Sequence, residues 1–257
     1  MIRIIVHGLG RLGRSVCGLA AECGEFDIVA AVKRNLVQGS DSGLNLGFPV
    51  YGDLAFCKEK ADVIVDCSVA SATSVAVAYA LASETPIVIC TTGLEESVMK
   101  QIKETSAKIP VFLSANASLG INLVRALIQT AAKSLNPAGF DIEIVERHHN
   151  QKLDAPSGTA NWLAEGIYDA IGPKKAVFDR TGERRKRDEN EIGIHSIRGG
   201  TIVGDHLIIF AGPDEVIEIK HSALSREAFA RGTLIAAKFT AARQPGLYTM
   251  DDVINAV

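Results

Sequence analysis

The chain has no strong excess of charge of either sign, no long apolar run and few cysteines, and each shortage removes a class of protein. Its formal net charge at pH 7 is -3, so no general attraction to nucleic acid or to an anionic membrane is expected, and any anion site must be local. No stretch approaches the roughly 18 uninterrupted apolar residues of a membrane span. The opening "MIRIIVHGLG" lacks the apolar core of a signal peptide, because turn residues break it early. The five cysteines, Cys17, Cys23, Cys57, Cys67 and Cys90, are odd in number and form no CxxC pair. That usage fits reduced thiols in a cytoplasmic protein and speaks against a disulfide frame or a zinc site. With 257 residues, 47% of them hydrophobic and 22% charged, the chain is long enough for one large core or two small ones.

What is present is an alternation. "IRIIV", "FDIVAAV", "DVIVDCS", "PIVICTT" and "PVFLSAN" read as strands. Between them, Arg11 to Cys23, "ATSVAVAYALAS" and "EESVMKQIKETSA" suit helices. Apolar strands alternating with helices predict βαβ units and a mostly parallel sheet. The segment Asn35 to Gly52 is rich in glycine and polar residues and is expected to be loop. Near Leu119 the character changes. A long helical pattern, "LGINLVRALIQTAAKSL", leads into "FDIEIVERHH", and "IGIHSIRGG", "HLIIFAG" and "EVIEIKH" read as strands of an antiparallel or mixed sheet. A closing helix, roughly Ser225 to Arg243, fits either unit by its pattern. The expected fold is α/β: a Rossmann-type dinucleotide-binding domain over 1–118 and 227–257, and an α+β substrate-binding and oligomerisation domain with an open mixed sheet over 119–226. The charge run "DRTGERRKRDENE", Asp179 to Glu191, is expected to be a solvated, mobile loop.

The glycines after the first strand carry the first functional signal. Gly8, Gly10 and Gly13 stand in GxGxxG spacing between a strand and a helix. The first permits a tight turn, the second lets backbone approach a pyrophosphate, and the third allows close helix–sheet packing; the helix N-terminus supplies N–H groups to the phosphates. At the end of the second strand an NAD-specific site would carry Asp or Glu for the ribose hydroxyls. Here Lys33 and Arg34 stand instead, and two cations attract a 2′-phosphate. NADPH is therefore the expected cofactor, with NADH also usable. Other strand ends should face the same ligand: Cys67 and Ser68; Cys90, Thr91 and Thr92; Ala115, Asn116, Ala117 and Ser118.

The second signal is "ERHHNQKLDAPSGTA", Glu146 to Ala160. His148 and His149 follow a strand pattern. If the strand ran through both, they would point to opposite faces; if it ended there, both could turn inward. Lys152 follows after a turn. Ser157 stands near the N-cap of the next helix, and Gly158 and Thr159 offer first-turn N–H groups to a carboxylate. Imidazoles, an ammonium and helix-start N–H groups together suit an anionic substrate that needs protons.

This motif resembles the signature of the 4-hydroxy-tetrahydrodipicolinate reductases (dihydrodipicolinate reductases), pyridine-nucleotide enzymes of the diaminopimelate route to lysine. The resemblance runs nearly end to end, through the glycine loop, "TTG", the "AN-x-S" before "LGIN", "SIRGGTIVGDH", "FAG" and the closing "FARG…PGLYTMDDV". It implies an acid/base role for His148, a proton-donor role for Lys152, and substrate contacts at His149, Ser157, Gly158, Thr159 and Thr92. It also implies cofactor contacts along His7, Gly8, Leu9, Gly10, Arg11, Leu12 and Gly13, at Lys33 and Arg34, at Cys90 to Thr92 and at Ala115 to Ser118. A small dicarboxylate substrate and a homotetramer built through the second domain's sheet are implied as well. The chain departs from the family pattern at His7, where a glycine is usual, at Leu12 for methionine, at Lys33 for an acidic residue, at Cys90 for glycine, and at Ala117 for a larger apolar or aromatic residue. All lie on the cofactor side.

Two other classes fit less well. A semialdehyde dehydrogenase needs a cysteine nucleophile beside a histidine, and the second domain holds no cysteine. A non-catalytic NAD(P) sensor has no use for Lys152 or a carboxylate pocket. The Lys33/Arg34 reading predicts a higher kcat/KM with NADPH than with NADH at matched ionic strength; a much higher value with NADH would refute it.

Overall fold

The protein is described here from a computed structural model, which covers residues 1–34, 36, 47–182 and 184–256. It divides into two compact units: Met1–Leu119 with Glu227–Val257, and Gly120–Arg226. The chain runs through β1 (Ile2–His7), α1 (Arg11–Cys23), β2 (Phe26–Val32), β3 (Val50–Tyr51), β4 (Val63–Asp66), α2 (Ala70–Ala82), β5 (Ile87–Ile89), α3 (Glu96–Ser106) and β6 (Pro110–Leu113). The second unit follows with α4 (Leu119–Leu135), β7 (Asp141–His148), α5 (Gly158–Ile171), β8 (Lys175–Val177), β9 (Glu191–Arg198), β10 (Gly204–Ala211) and β11 (Val216–Ala223). The chain returns to the first unit for α6 (Glu227–Ala241), β12 (Gly246–Tyr248) and α7 (Met250–Asn255).

The first sheet has the order β12-β6-β5-β4-β1-β2-β3, and all its pairings are parallel. Its central strands are mostly apolar because both faces are covered, with Arg3 and Asp27 near the starts of β1 and β2 as exposed exceptions. Ile4, Val6, Val63, Val65 and Val88 join the core formed with α1 and α6, while Ile5, Ile64, Ile87 and Ile89 join the core formed with α2 and α3. The carboxyl ends of β1, β4 and β5 therefore lie side by side, where ligands of such sheets gather. Gly8 has φ +101°, and a Cβ there would stand 2.8 Å from the Cys67 carbonyl oxygen; a Cβ on Gly13 would stand 2.0 Å from the Gly8 carbonyl oxygen. A Cβ on Gly10 would meet nothing within 4 Å. Two of the three glycines thus serve the protein's own packing, and Gly10 does not.

The second sheet is mixed, in the order β11-β10-β7-β9-β8. β10 is antiparallel to β7 and β11, whereas β9 is parallel to β7 and β8. Burial alternates strictly along β7 and β10. Ile142, Ile144, Ile192, Ile194, Ile208 and Phe210 face Ile121, Ile128, Leu163 and Ile167 of α4 and α5. The same alternation puts Glu146 and His148 on the helix-covered face.

Two expectations need correction. The segment 35–52 was expected to be all loop; Asn35 and residues 37–46 lie outside the described residues, and Val50–Tyr51 forms β3, which pairs with the end of β2. The charge run, of which Glu183 lies outside the described residues, is not simply solvated. Arg180 bonds Glu143 and Glu191 at 3.0 Å each, Arg187 bonds Asp141 at 2.7 Å and Glu143 at 3.2 Å, and Arg185 pairs with buried Glu191. Carboxylates at the starts of β7 and β9 draw the arginines down.

The glycine contacts predict opposite outcomes for two substitutions. Gly13→Ala should cost on the order of 1–3 kcal/mol, because the obstacle is backbone, and lower Tm by several degrees. Gly10→Ala should change Tm by no more than about 2 °C. Equal melting of the two variants in calorimetry would overturn this packing account.

Candidate active site

In the first unit a buried carboxylate organises the strand ends. Asp66 closes β4 with no exposed surface. Its Oδ1 lies 2.9 Å from His7 Nδ1 and accepts from Ser68 N at 3.2 Å and Ser68 Oγ at 2.5 Å; its Oδ2 accepts from Thr73 Oγ1 at 2.8 Å and Thr91 Oγ1 at 3.1 Å. Burial pushes this carboxyl up, but the bonds from His7, Ser68 and Thr73 outweigh burial and hold it below the ordinary range. The predicted residues His7, Ser68 and Thr91 are thus brought together by one that the sequence reading did not single out.

The rest of that loop is placed unevenly. Leu9 is buried and Leu12 partly buried against the α1 core, so their side chains serve packing and only their backbone is left for a ligand. Arg11 is exposed. Gly10 is the N-cap of α1, with no capping side chain and no acidic residue in the first turn. The first-turn N–H groups have no intrahelical partners, and open space surrounds Gly10. This arrangement fits a pyrophosphate. Lys33 and Arg34 follow β2; among the described residues neither forms an ion pair, and Arg34 is exposed. Cys90 Sγ lies 3.4 Å from Thr233 Oγ1, and Thr92 is exposed. Ser114 Oγ donates to the Asn116 carbonyl at 2.7 Å, and Asn116 Oδ1 accepts from Ser118 N at 2.9 Å, which shapes the turn after β6. Ala115 is exposed. Ala117 is buried, and a Cβ on Gly232 would stand 1.7 Å from its carbonyl oxygen.

In the second unit β7 ends at His148, and His149 lies part-buried just beyond it. Of the two geometries open in the sequence, the strand therefore stops between the histidines. His148 Nδ1 lies 2.6 Å from Glu146 Oε2. Glu146 has no exposed surface. Both its oxygens take the Arg198 guanidinium at 2.7 Å, and Oε1 also accepts from Ser157 N at 3.0 Å. Burial raises the Glu146 carboxyl, yet Arg198, His148 and Ser196 outweigh it and hold it at about 2. Ser157 is the N-cap of α5 and accepts from Ala160 N at 3.1 Å. Gly158 opens that helix, exposed, with part-buried Thr159 behind it. Lys152 Nζ lies 2.8 Å from Asp154 Oδ1. That ammonium chiefly holds the Asp154 carboxyl below its ordinary range, and the Gly158 N–H adds to the effect.

Glu146, Arg198 and His206 went unnoticed in the sequence. A usable signal existed for Glu146: it precedes His148 by two residues, which in a strand is the same face. His206 is cross-strand partner to Glu146 and is buried. Its Nε2 lies 3.2 Å from Ser157 Oγ, and its ring meets the His148 ring edge-on at 5.4 Å. Its Nδ1 is buried with no partner among the described residues. Burial, and next the nearby His148, lower its pKa to about 4. A histidine depressed below its unfolded value contributes stability that is full above about pH 6.5 and is lost as pH falls towards 4. His206→Gln should therefore flatten the fall in Tm between pH 7 and pH 4.5 that the wild type shows; identical acid slopes would refute this.

Among known proteins, residues 2–117 match the family model for the dihydrodipicolinate reductase N-terminus, and residues 120–254 match that for its C-terminus. The chain is 51% identical over 257 residues to the 4-hydroxy-tetrahydrodipicolinate reductase of Caldanaerobacter subterraneus, covering 99% of both chains. It is 43% identical to that of Clostridium tetani, covering 100% of this chain and 98% of the other. A solved structure of dipicolinate-bound dihydrodipicolinate reductase from Paenisporosarcina superposes with a TM-score of 0.80 over 97% of each chain at 24% identity, which shows the shared fold. On the two family models and these identities, the chain belongs to the 4-hydroxy-tetrahydrodipicolinate reductase family.

Proposed function

We propose how this chain divides its family's reaction between its two units. The reaction is the NAD(P)H-dependent reduction of (4S)-4-hydroxy-2,3,4,5-tetrahydrodipicolinate to 2,3,4,5-tetrahydrodipicolinate in the diaminopimelate route to lysine. One hydride and one proton enter, and one water leaves. The first unit is the dinucleotide-binding domain. Gly10 and the start of α1 take the pyrophosphate, the strand ends at Ser68, Cys90 to Thr92 and Ala115 to Ser118 line the nicotinamide side, and Lys33 and Arg34 take the ribose end. The cofactor bound there supplies the hydride. The two cations favour NADPH, with NADH as a second donor.

The second unit is the substrate domain. Lys152 gives the proton, His148 exchanges protons with it or with water, and His149 and the Ser157–Thr159 step hold carboxylates. One observation carries this assignment. The Lys152 ammonium already lies 2.8 Å from a carboxylate, that of Asp154, just ahead of α5. A substrate carboxylate competes for the same donor. The dipicolinate bound to the Paenisporosarcina reductase, a planar dicarboxylate, supports a ligand of that class. A non-catalytic sensor or another dehydrogenase finds no support among the relatives.

A homotetramer through the second sheet is also part of this reading. Val216 and Ile217 on edge strand β11 and Leu224 just after it are exposed apolar side chains of the kind a partner chain covers. The five cysteines are all free, which suits the reducing cytoplasm. No described helix is long and apolar enough to cross a membrane.

Lys152→Ala tests the proton role. It should lower kcat by roughly 10²-fold or more while the Kd for NADPH stays within about twofold, measured by substrate-dependent NADPH consumption and by titration calorimetry. Near-normal kcat would remove Lys152 from the chemistry.

A further inference from the structure

We infer that Glu146 is a positioning residue that fixes the proton state of His148 and ties it to the carboxylate clamp, so that the two halves of the substrate site act as one body. This rests on the acid/base role proposed above for His148. The geometry is specific. Glu146 has no exposed surface, and four N–H groups converge on its two oxygens. His148 Nδ1 lies at 2.6 Å, the two Arg198 nitrogens at 2.7 Å and Ser157 N at 3.0 Å.

An ionised carboxylate only accepts hydrogen bonds, so the proton on this side of the His148 ring must sit on Nδ1. The lone pair of the neutral ring is then on Nε2. That nitrogen is the ring atom nearest to where a Gly204 Cβ would stand, at 3.0 Å, so glycine keeps its surroundings open. Arg198 balances the carboxylate charge, and its Nη2 also donates to the Asp154 carbonyl at 2.6 Å. Through Ser157 N the same carboxylate holds the residue that caps α5, whose side chain is backed by His206. His148 and the start of α5 lie apart in sequence, and Glu146 makes direct bonds to both. Orienting partners of this kind set which imidazole nitrogen faces the reactants.

Two measurements test this. Long-range 1H–15N spectra of the labelled wild-type protein near neutral pH, with His148→Asn to identify the ring signals, should show the Nδ1–H tautomer. The Nε2–H tautomer would overturn the inference, and this measurement needs no variant of Glu146 to fold. In kinetics, Glu146→Gln should lower kcat about tenfold or more, and Glu146→Asp should restore part of the loss. In a His148→Asn background the same Glu146→Gln change should alter kcat by less than about twofold. Independent, multiplying losses would mean that Glu146 serves stability alone. Failure of the wild type to reduce hydroxytetrahydrodipicolinate at all would refute the reaction assignment while leaving the tautomer result intact.

Discussion

A carboxylate with no contact to water is tolerated only when its oxygens are fully met, and the second unit is arranged around one that is. Glu146 accepts from Arg198, His148 and Ser157. The general energetics say why such a group is retained. Replacing a buried ion pair with apolar residues is often neutral or stabilising, whereas removing one member alone costs about 3–5 kcal/mol. Stability is therefore a poor reason for the Glu146–Arg198 pair to exist. Its geometry has a better one: no apolar group could hold an imidazole proton on one side and a helix cap on the other.

The first unit repeats the device with different partners. Asp66 is also wholly buried at a strand end, and it too lies beside a histidine Nδ1, that of His7. Its remaining bonds come from the hydroxyls of Ser68, Thr73 and Thr91 and from Ser68 N, with no arginine among them. In the reading proposed above the difference suits the two ligands: a histidine that exchanges protons beside a balanced charge in the second unit, and a stiff rim of small groups around a glycine turn in the first, where the hydroxyls on Asp66 link β4, β5 and α2.

What could be read from the sequence is what short-range rules govern. The strand–glycine–helix turn and the Ser157 cap each depend on residues within a few positions of one another, and each stands where its spacing implied. The alternation of βα units was equally visible, because strands covered on both faces are predominantly apolar. Arg198 and His206 were hidden because they reach the site from neighbouring strands, and Asp66 and Glu146 because part of their partner sets comes from elements distant in sequence. Glu146 lies opposite Ser196 on β9 and His206 on β10, and only register brings these together. The short strands β3, β8 and β12 have two or three residues each, too few to show a period. The charge run is a mostly exposed loop, as its composition implied, but composition says nothing about the carboxylates on β7 that its arginines meet.

That run has a consequence for the distant end of the same two strands. β7 and β9 lie parallel, and Arg180, Arg185 and Arg187 join the acidic residues at their starts. At their other ends Arg198 of β9 holds Glu146 of β7. A slip of one residue would turn the side chains of one strand to the wrong face. A slip of two would keep the faces but pull apart the charges at both ends at once. The pair of strands is thus gauged at two points, like a rule fixed by pins, and the position of His148 is measured from the far pin as well as from the near one.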